Sequence, residues 1–300
     1  MSLARALVVS LRPYQWIKNL VVLAALVFSK HLFDVDAAAR AGLAFLVFCA
    51  LASAVYLVND ILDLERDRLH PAKRTRPIAS GQLSVGPARI AAAVLLVVAL
   101  AGSLALGPGF RICAGSYAVL GIAYSLSLKH AVILDVLTVA LGFVLRAVAG
   151  AVAIGVHFSP WLVVCTLLLA LFLALAKRRH ELVSLGDAAA HRSSLAEYSP
   201  YLLDQMIAVV TASCLTAYAF YTLAPETVEK YKTEQLALTI PFVIYGIFRY
   251  LYLVHRREQG GSPGDVLLTD RPLLATVALW AVAMVLIVYT AAGVPMPRVN

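Results

Sequence analysis

"AFLVFCALASAVYLVNDILDLERDRLHPAKRTRPIASG", residues 44–81, opens with fifteen residues that carry no charge. The next twenty-three hold four acids and five bases. An uncharged run that ends in such a cluster reads as a membrane-spanning helix meeting water. Composition agrees: the chain has 300 residues, 61% of them hydrophobic and 14% charged, where a soluble domain carries about 25% charge. Apolar runs near the length that crosses a bilayer recur from end to end. The expected spans are 15–33, 41–62, 88–107, 111–128, 132–153, 160–177, 205–224, 236–254 and 273–292. The expected fold is therefore an all-α integral membrane bundle of nine transmembrane helices, one domain over 1–300. The first span is the least regular, because Lys18 and Asn19 lie inside its start. The stretch "MSLARALVVSLRPYQWIKN" is amphipathic and basic without a clean cleavage site, so no secretory signal is expected.

The net charge of +8 reads as topology. If the N-terminus is cytoplasmic, that side collects Arg5, Arg12, Lys18, the bases of 66–89, Lys129, Lys177–Arg179, Arg192, Arg256, Arg257 and Arg271. The opposite loops hold only Lys30, Arg40, Arg111, Lys230, Lys232 and Arg298. This asymmetry follows the positive-inside rule and places the charged cluster in the cytoplasm, at a cell (inner or plasma) membrane. No nucleic-acid-binding motif accompanies the charge, so nucleic acid is not an expected partner. Cys49, Cys113, Cys165 and Cys214 sit singly in apolar runs, which supports neither disulfides nor zinc.

The acids have a pattern. At about 100° per residue, Asp60, Asp63 and Asp67 share one helix face, with Tyr56 one turn earlier and Glu65 pointing away. Aligned carboxylates repel unless a cation sits among them. Magnesium prefers oxygen ligands and is commonly held by one or two carboxylates plus substrate phosphates. Asn59 adds an amide oxygen, so Asn59, Asp60, Asp63 and Asp67 are the expected metal set. The competing reading is a solvated helix end whose acids pair with Arg66, Arg68 and Lys73. Against it stands the Pro-flanked loop "HPAKRTRPIASG", which can fold Lys73, Arg74 and Arg76 back over an anion. Acids for a metal beside bases for phosphate suit a diphosphate.

These residues resemble the UbiA-type intramembrane prenyltransferase superfamily: "NDxxDxxxD" followed by "RxRPxASG" on the second of nine helices. The resemblance extends to its decaprenyl-phosphate phosphoribosyltransferase branch through "LRPYQWIKNLVVLAALVFS", "AYSLSLKH", "LRAVAGAVA", "AKRRHEL", "RYLY" and "LLTDRPLL", almost from end to end. Many members carry a second Asp-rich motif after helix 6. Here "AKRRHELVSLGD" stands there, with Lys177, Arg178 and Arg179 in place of an acidic face and only Glu181 and Asp187 remaining. One acidic and one basic motif suit two different phosphorylated substrates.

The resemblance implies Mg2+-dependent transfer of 5-phosphoribose from phosphoribosyl pyrophosphate to a polyprenyl phosphate lipid. It implies catalytic contacts for Asp60, Asp63, Lys18, Tyr124 and Lys129. Substrate contacts would come from Lys18, Asn19, Tyr56, Asn59, Asp67, Lys73, Arg74, Arg76, Tyr124, Lys129, Asp135, Arg146, Lys177, Arg178, Arg249 and Arg271. Each has a plainer reading. Lys18 can snorkel with Trp16 as anchor, Asp135 and Arg146 can pair between helices, and Asp270 can cap the last helix before Arg271. Prenyl transfer to an aromatic or other acceptor is the alternative enzyme reading, with the missing second Asp motif against it. A transporter would show repeats with broken helices in corresponding halves, and none is evident. Membrane lipids surround the chain, and a homo-oligomer is compatible with the sequence.

Overall fold

The computed structural model describes residues 2–71, 73–157, 159–184, 193–257 and 260–290. These form two compact units, Met1–Phe158 with Asp187–Glu197, and Ser159–Gly186 with Tyr198–Asn300.

The first unit holds α1 (Leu3–Leu11), α2 (Ala24–Phe28), α3 (Val35–Leu62), α4 (Leu64–Leu69), α5 (Val85–Leu104), α6 (Pro108–Leu126), α7 (Leu134–Ala153) and the short α9 (Ser193–Ala196). The second holds α8 (Pro160–Ser184), α10 (Pro200–Leu223), α11 (Pro225–Tyr231), α12 (Ile240–Arg256), α13 (Pro263–Thr269) and α14 (Arg271–Thr290). Proline stands first in α6, α8, α10, α11 and α13, where its missing N–H costs nothing. Asp34 caps α3 by accepting from the Asp36 and Ala37 amides, and Ser199 caps α10 by accepting from Leu202.

Eight helical segments among the described residues are long and apolar enough to cross a membrane. The chain is a multi-pass membrane protein. Exposed Val94, Val97 and Val98 on α5 are the face such a helix turns to lipid. The first expected span, 15–33, is built differently: a 3₁₀ helix over Pro13–Leu23 leads into α2. It runs antiparallel to α3. Trp16 Nε1 donates to Ser53 Oγ at 3.0 Å, Asn19 Nδ2 to Cys49 Sγ at 3.3 Å, and Leu26 packs with Ala41. A 3₁₀ helix rises about 2.0 Å per residue against about 1.5 Å in an α-helix, so this segment keeps pace with α3 using fewer residues. Its backbone lies so close to α7 that a Cβ on Gly150 would stand 1.9 Å from the Val22 carbonyl oxygen. Only glycine fits there, a membrane use of small residues to bring backbones together.

Around this contact Val22, Val47, Phe48, Leu51, Phe110, Tyr117 and Ala149 form a buried cluster. Phe48 packs edge-on to Phe110 with centroids 6.0 Å apart. In the second unit Phe172 of α8 meets Tyr250 of α12 at 5.3 Å. Trp280 Nε1 donates to Tyr218 Oη at 2.8 Å. The four cysteines are free.

Candidate active site

The acids sit where α3 ends. The sequence places Asp60, Asp63 and Asp67 on one continuous helix. The structure corrects this: α3 stops at Leu62, Asp63 takes φ −93° and ψ 8°, and α4 resumes at Leu64. The four-residue step survives the break. The Asp63 amide still donates to the Asn59 carbonyl at 2.9 Å, and the Asp67 amide to the Asp63 carbonyl at 2.8 Å. Asp60 and Asp67 are almost fully buried, at 3% and 2% exposed, and Asp63 keeps a 17% exposed side chain.

The loop after α4 folds back as expected. Arg76 Nη1 donates to Asp60 Oδ1 at 3.0 Å and to Asp67 Oδ2 at 2.6 Å, so one guanidinium bridges two acids. A tight turn holds it there. The Ser80 amide donates to the Arg76 carbonyl at 2.8 Å, and Gly81 takes φ 77°, which suits a residue without Cβ. Ile78 and Leu83 anchor the loop by packing with Leu57. Lys73 lies half-buried in a short 3₁₀ turn and Arg74 is exposed. Burial pushes the Asp67 carboxyl up from its ordinary range, with Arg76 and then Lys73 pulling it back.

Two further bases arrive from elsewhere in this unit. Lys129 Nζ reaches Asp63 Oδ1 at 2.6 Å and Asn59 Oδ1 at 3.4 Å. It stands on a 3₁₀ turn, Leu128–His130, whose Lys129 carbonyl accepts from Ser194 Oγ at 3.0 Å. Arg12 Nη2 donates to both Asp60 oxygens, at 2.6 and 2.8 Å, and its guanidinium lies 5.0 Å from the centre of the Tyr56 ring. The sequence reading gave Arg12 only a topological role. Its signal was the "LRPYQW" context, but nothing local connects it to an acid 48 positions away. Ser194 gave no signal at all.

Asn19 and Arg146 form a second buried polar group in this unit. Arg146, 5% exposed, donates from Nε to Asn19 Oδ1 at 2.7 Å and from Nη2 to Tyr117 Oη at 2.6 Å. Asn19 and Arg146 are thus bonded to each other. Asp135 is fully buried in the first turn of α7, while Lys18 and Tyr124 are half-buried.

In the second unit the basic motif is already matched by acids. Arg178 is buried and paired with Glu181, and Lys177 Nζ lies 3.9 Å from the same carboxylate. Arg179 Nε bonds Asp204 Oδ1 at 2.6 Å, and His255 Nε2 lies 3.2 Å from that oxygen. Arg249 grips Asp270 through Nε at 3.1 Å and Nη2 at 2.8 Å. Asp270 also caps α14, accepting from Leu273 at 2.9 Å. The Arg249 hydrogen bonds hold the Asp270 carboxyl below its usual range. Arg271 is exposed, and Asp187 lies outside the described residues.

Among the described residues no three His, Cys, Asp or Glu side chains gather as a ready metal cage. The donor set nevertheless fits a hard cation. Asn59 and Asp63 offer oxygens that converge on the Lys129 nitrogen. Asp60 and Asp67 converge on one Arg76 nitrogen. Each pair already holds a positive charge by oxygen alone, the arrangement magnesium uses when substrate phosphates complete its shell.

A helical membrane protein with acids, an amide and bases gathered at one helix end has the architecture of an intramembrane enzyme for phosphorylated substrates. The chain belongs to the UbiA prenyltransferase family, whose sequence profile matches residues 19–263. It is 35% identical over 295 residues to the decaprenyl-phosphate phosphoribosyltransferase of Corynebacterium glutamicum, covering 96% of this chain and 88% of that one. The protein of the same name from Mycolicibacterium smegmatis is 35% identical over 93% of this chain and 91% of its own. Among solved structures, a UbiA homolog from Archaeoglobus fulgidus bound to GPP and Mg2+ superposes with a TM-score of 0.73. That match has 21% identity and covers 94% of this chain and 99% of the other.

Proposed function

We propose that this chain transfers 5-phosphoribose from phosphoribosyl pyrophosphate to a polyprenyl (decaprenyl) phosphate and releases pyrophosphate. The observation that carries this reading is the likeness, over nearly the whole chain, to the Corynebacterium relative of that name. The geometry is compatible with it. A polyprenyl phosphate oxygen forms the new bond to the anomeric carbon as the bond to pyrophosphate breaks, with inversion. A phosphate oxygen is ionised at neutral pH, so no strong general base is required. Magnesium, held by Asn59, Asp60, Asp63 and Asp67, would neutralise the departing diphosphate. Arg76, with Lys73 and Arg74 on the same loop, would bind that diphosphate, and Lys129 would orient a phosphate beside Asp63. Lys177 and Arg178 would take the lipid phosphate by releasing Glu181.

The loops of this site would face the cytoplasm of a cell membrane. Arg12, Arg76 and Lys129, assigned to one side by charge, meet at the end of α3. Arg40, assigned to the other side, donates to the Ala153 carbonyl at 2.7 Å. The composite first segment, counted as a crossing, completes nine spans. Single cysteines at 74 and 82, in a cysteine-free background, should label only from the cytoplasmic side, and one at 36 only from outside. The reverse pattern would overturn the orientation.

A second reading is prenyl transfer, favoured by the fold shared with the GPP-bound Archaeoglobus homolog. One experiment separates them. Purified protein with magnesium receives polyprenyl phosphate and phosphoribosyl pyrophosphate, or a prenyl diphosphate and an aromatic acid. Pyrophosphate release that requires polyprenyl phosphate, with a phosphoribosyl lipid seen by mass spectrometry, supports the first reading. A prenylated aromatic product instead would replace it.

A further inference from the structure

Asp60 is the most heavily engaged acid of the cluster. It is 3% exposed and accepts from Arg12 at 2.6 and 2.8 Å and from Arg76 at 3.0 Å. A carboxylate offers about four acceptor positions, so little is left for a metal. A magnesium ion ligates oxygen at about 2.0–2.1 Å. Placed on Asp60 it would stand beside two guanidinium groups in a buried site, where like charges repel strongly. Asp60 can therefore ligate a metal only if one arginine yields.

The two arginines are not equivalent. Arg76 has a second carboxylate, Asp67, at 2.6 Å. Among the described residues Arg12 forms its ion pair with Asp60 alone. Its backbone is left-handed, with φ 54° and ψ 58°, immediately before Pro13. Proline drives the preceding residue toward extended conformations, and a non-glycine residue in the left-handed region carries a cost that its surroundings must offset. The contacts of its Nη2 with both Asp60 oxygens contribute to that offset. The face of Tyr56, 5.0 Å away, gives the guanidinium a second contact that does not involve the acid.

We propose that Arg12 is an exchangeable counter-ion: it holds Asp60 until a divalent cation and a diphosphate arrive together, then passes to the diphosphate. This rests on the reading of the cluster as a metal–diphosphate site. A metal alone must displace a guanidinium and leave it without an anion. A diphosphate alone must draw the guanidinium off a buried carboxylate. Both together satisfy every charge. Each ligand then strengthens the other by the same factor, and the site resists filling with metal alone.

The test follows Mn2+, in place of Mg2+, by electron paramagnetic resonance of the free ion. The sample is full-length protein in detergent, with and without inorganic pyrophosphate, corrected for their complex in solution. In the wild type pyrophosphate should tighten Mn2+ binding about ten-fold or more. Arg12→Gln should bind Mn2+ alone several-fold tighter and lose most of the gain from pyrophosphate. Arg12→Lys keeps the charge but not the planar guanidinium that lies against Tyr56 and should fall between, which covers the case in which the glutamine variant does not fold. If both soluble variants bind Mn2+ alone no more tightly than wild type, or keep the full pyrophosphate gain, Arg12 is not the exchanged group. Pyrophosphate is common to both transfer readings. Failure of phosphoribosyl transfer would leave this coupling standing, and absence of the coupling in the wild type would not decide which transfer the protein performs.

Discussion

At the end of α3 the acids come from one stretch of chain and the bases from three. Asp60, Asp63 and Asp67 lie within eight residues, while Arg12, Arg76 and Lys129 reach them from 48, 16 and 66 positions away. At the end of α8 the order is reversed. Lys177, Arg178 and Arg179 are consecutive, and two of them share Glu181 on the next turn of the same helix. The first cluster exists only because the fold assembles it. The second is largely a property of one helix. An exposed i,i+4 pair is weak, about 0.3–0.5 kcal/mol, so an incoming anion can take Lys177 cheaply, while buried Arg178 holds Glu181 more firmly. The first kind couples ligand binding to the packing of several elements.

The sharpest way to break this contrast is to remove acids from the assembled cluster. Asp60→Ala and Asp63→Ala should each lower pyrophosphate release by about 10²-fold or more, as loss of one preorganised electrostatic group does. Their stabilities should differ. Asp60→Ala strands Arg12 and Arg76, and breaking a buried pair costs about 3–5 kcal/mol. Asp63 is 17% exposed and faces one lysine, so its loss should disturb thermal unfolding much less. An Asp60→Ala protein that unfolds at the wild-type temperature would mean the assembled pairs contribute nothing to the fold. Excess chelator should abolish wild-type turnover and magnesium restore it.

That difference between Asp60 and Asp63 was not legible in the sequence. Periodicity placed both acids on one face and at the wet end of a span, whereas the structure gives Asp60 to Arg12 and Arg76 and Asp63 to Lys129. Burial is what separates them, and burial comes from Arg12 and Arg76 closing over Asp60. The spans were legible because apolar runs of bilayer length leave few alternatives. Pro13–Leu23 was not legible as a 3₁₀ helix, since its winding answers to the approach of Val22 to Gly150, a contact made across the chain. Arg146 was legible as unusual, being ionisable at membrane depth, but its bond to Asn19 spans 127 positions. The helix break at Asp63 had no proline or glycine to announce it.

A middle-sized effect sharpens the comparison from the basic side. Arg178→Ala should weaken use of polyprenyl phosphate by about 10- to 150-fold, the loss of one charge-assisted hydrogen bond of about 1.5–3 kcal/mol. Lys177→Ala should cost less, because its side chain is 42% exposed and its charge is screened. Both losses should appear in the dependence on lipid phosphate, with magnesium and donor dependences nearly unchanged. If they appear instead in the donor dependence, the two clusters do not divide the substrates between them.

The smallest effect concerns Arg249 and Asp270, a long-range pair within the second unit. Its two hydrogen bonds, at 3.1 and 2.8 Å, hold Asp270 below the ordinary carboxylate range. A carboxyl whose folded pKa is depressed adds stability above its unfolded value, near 3.9. That stability is lost as the pH falls through the folded pKa. In Arg249→Gln the depression should largely disappear, leaving only the share from the Leu273 amide. The variant should therefore unfold at a slightly lower temperature than wild type between about pH 5 and 7. The gap should narrow as the pH falls below about 4 and close only below the depressed folded pKa, where Asp270 is protonated in both proteins and the charge pair is gone from both. A gap that persists at acid pH would mean that Arg249 acts through the packing of its stem on Tyr252, whose ring lies 5.2 Å from the guanidinium. The pair would then be an element of the helix interface, and its charge would do no more for the fold than the local pairs of α8.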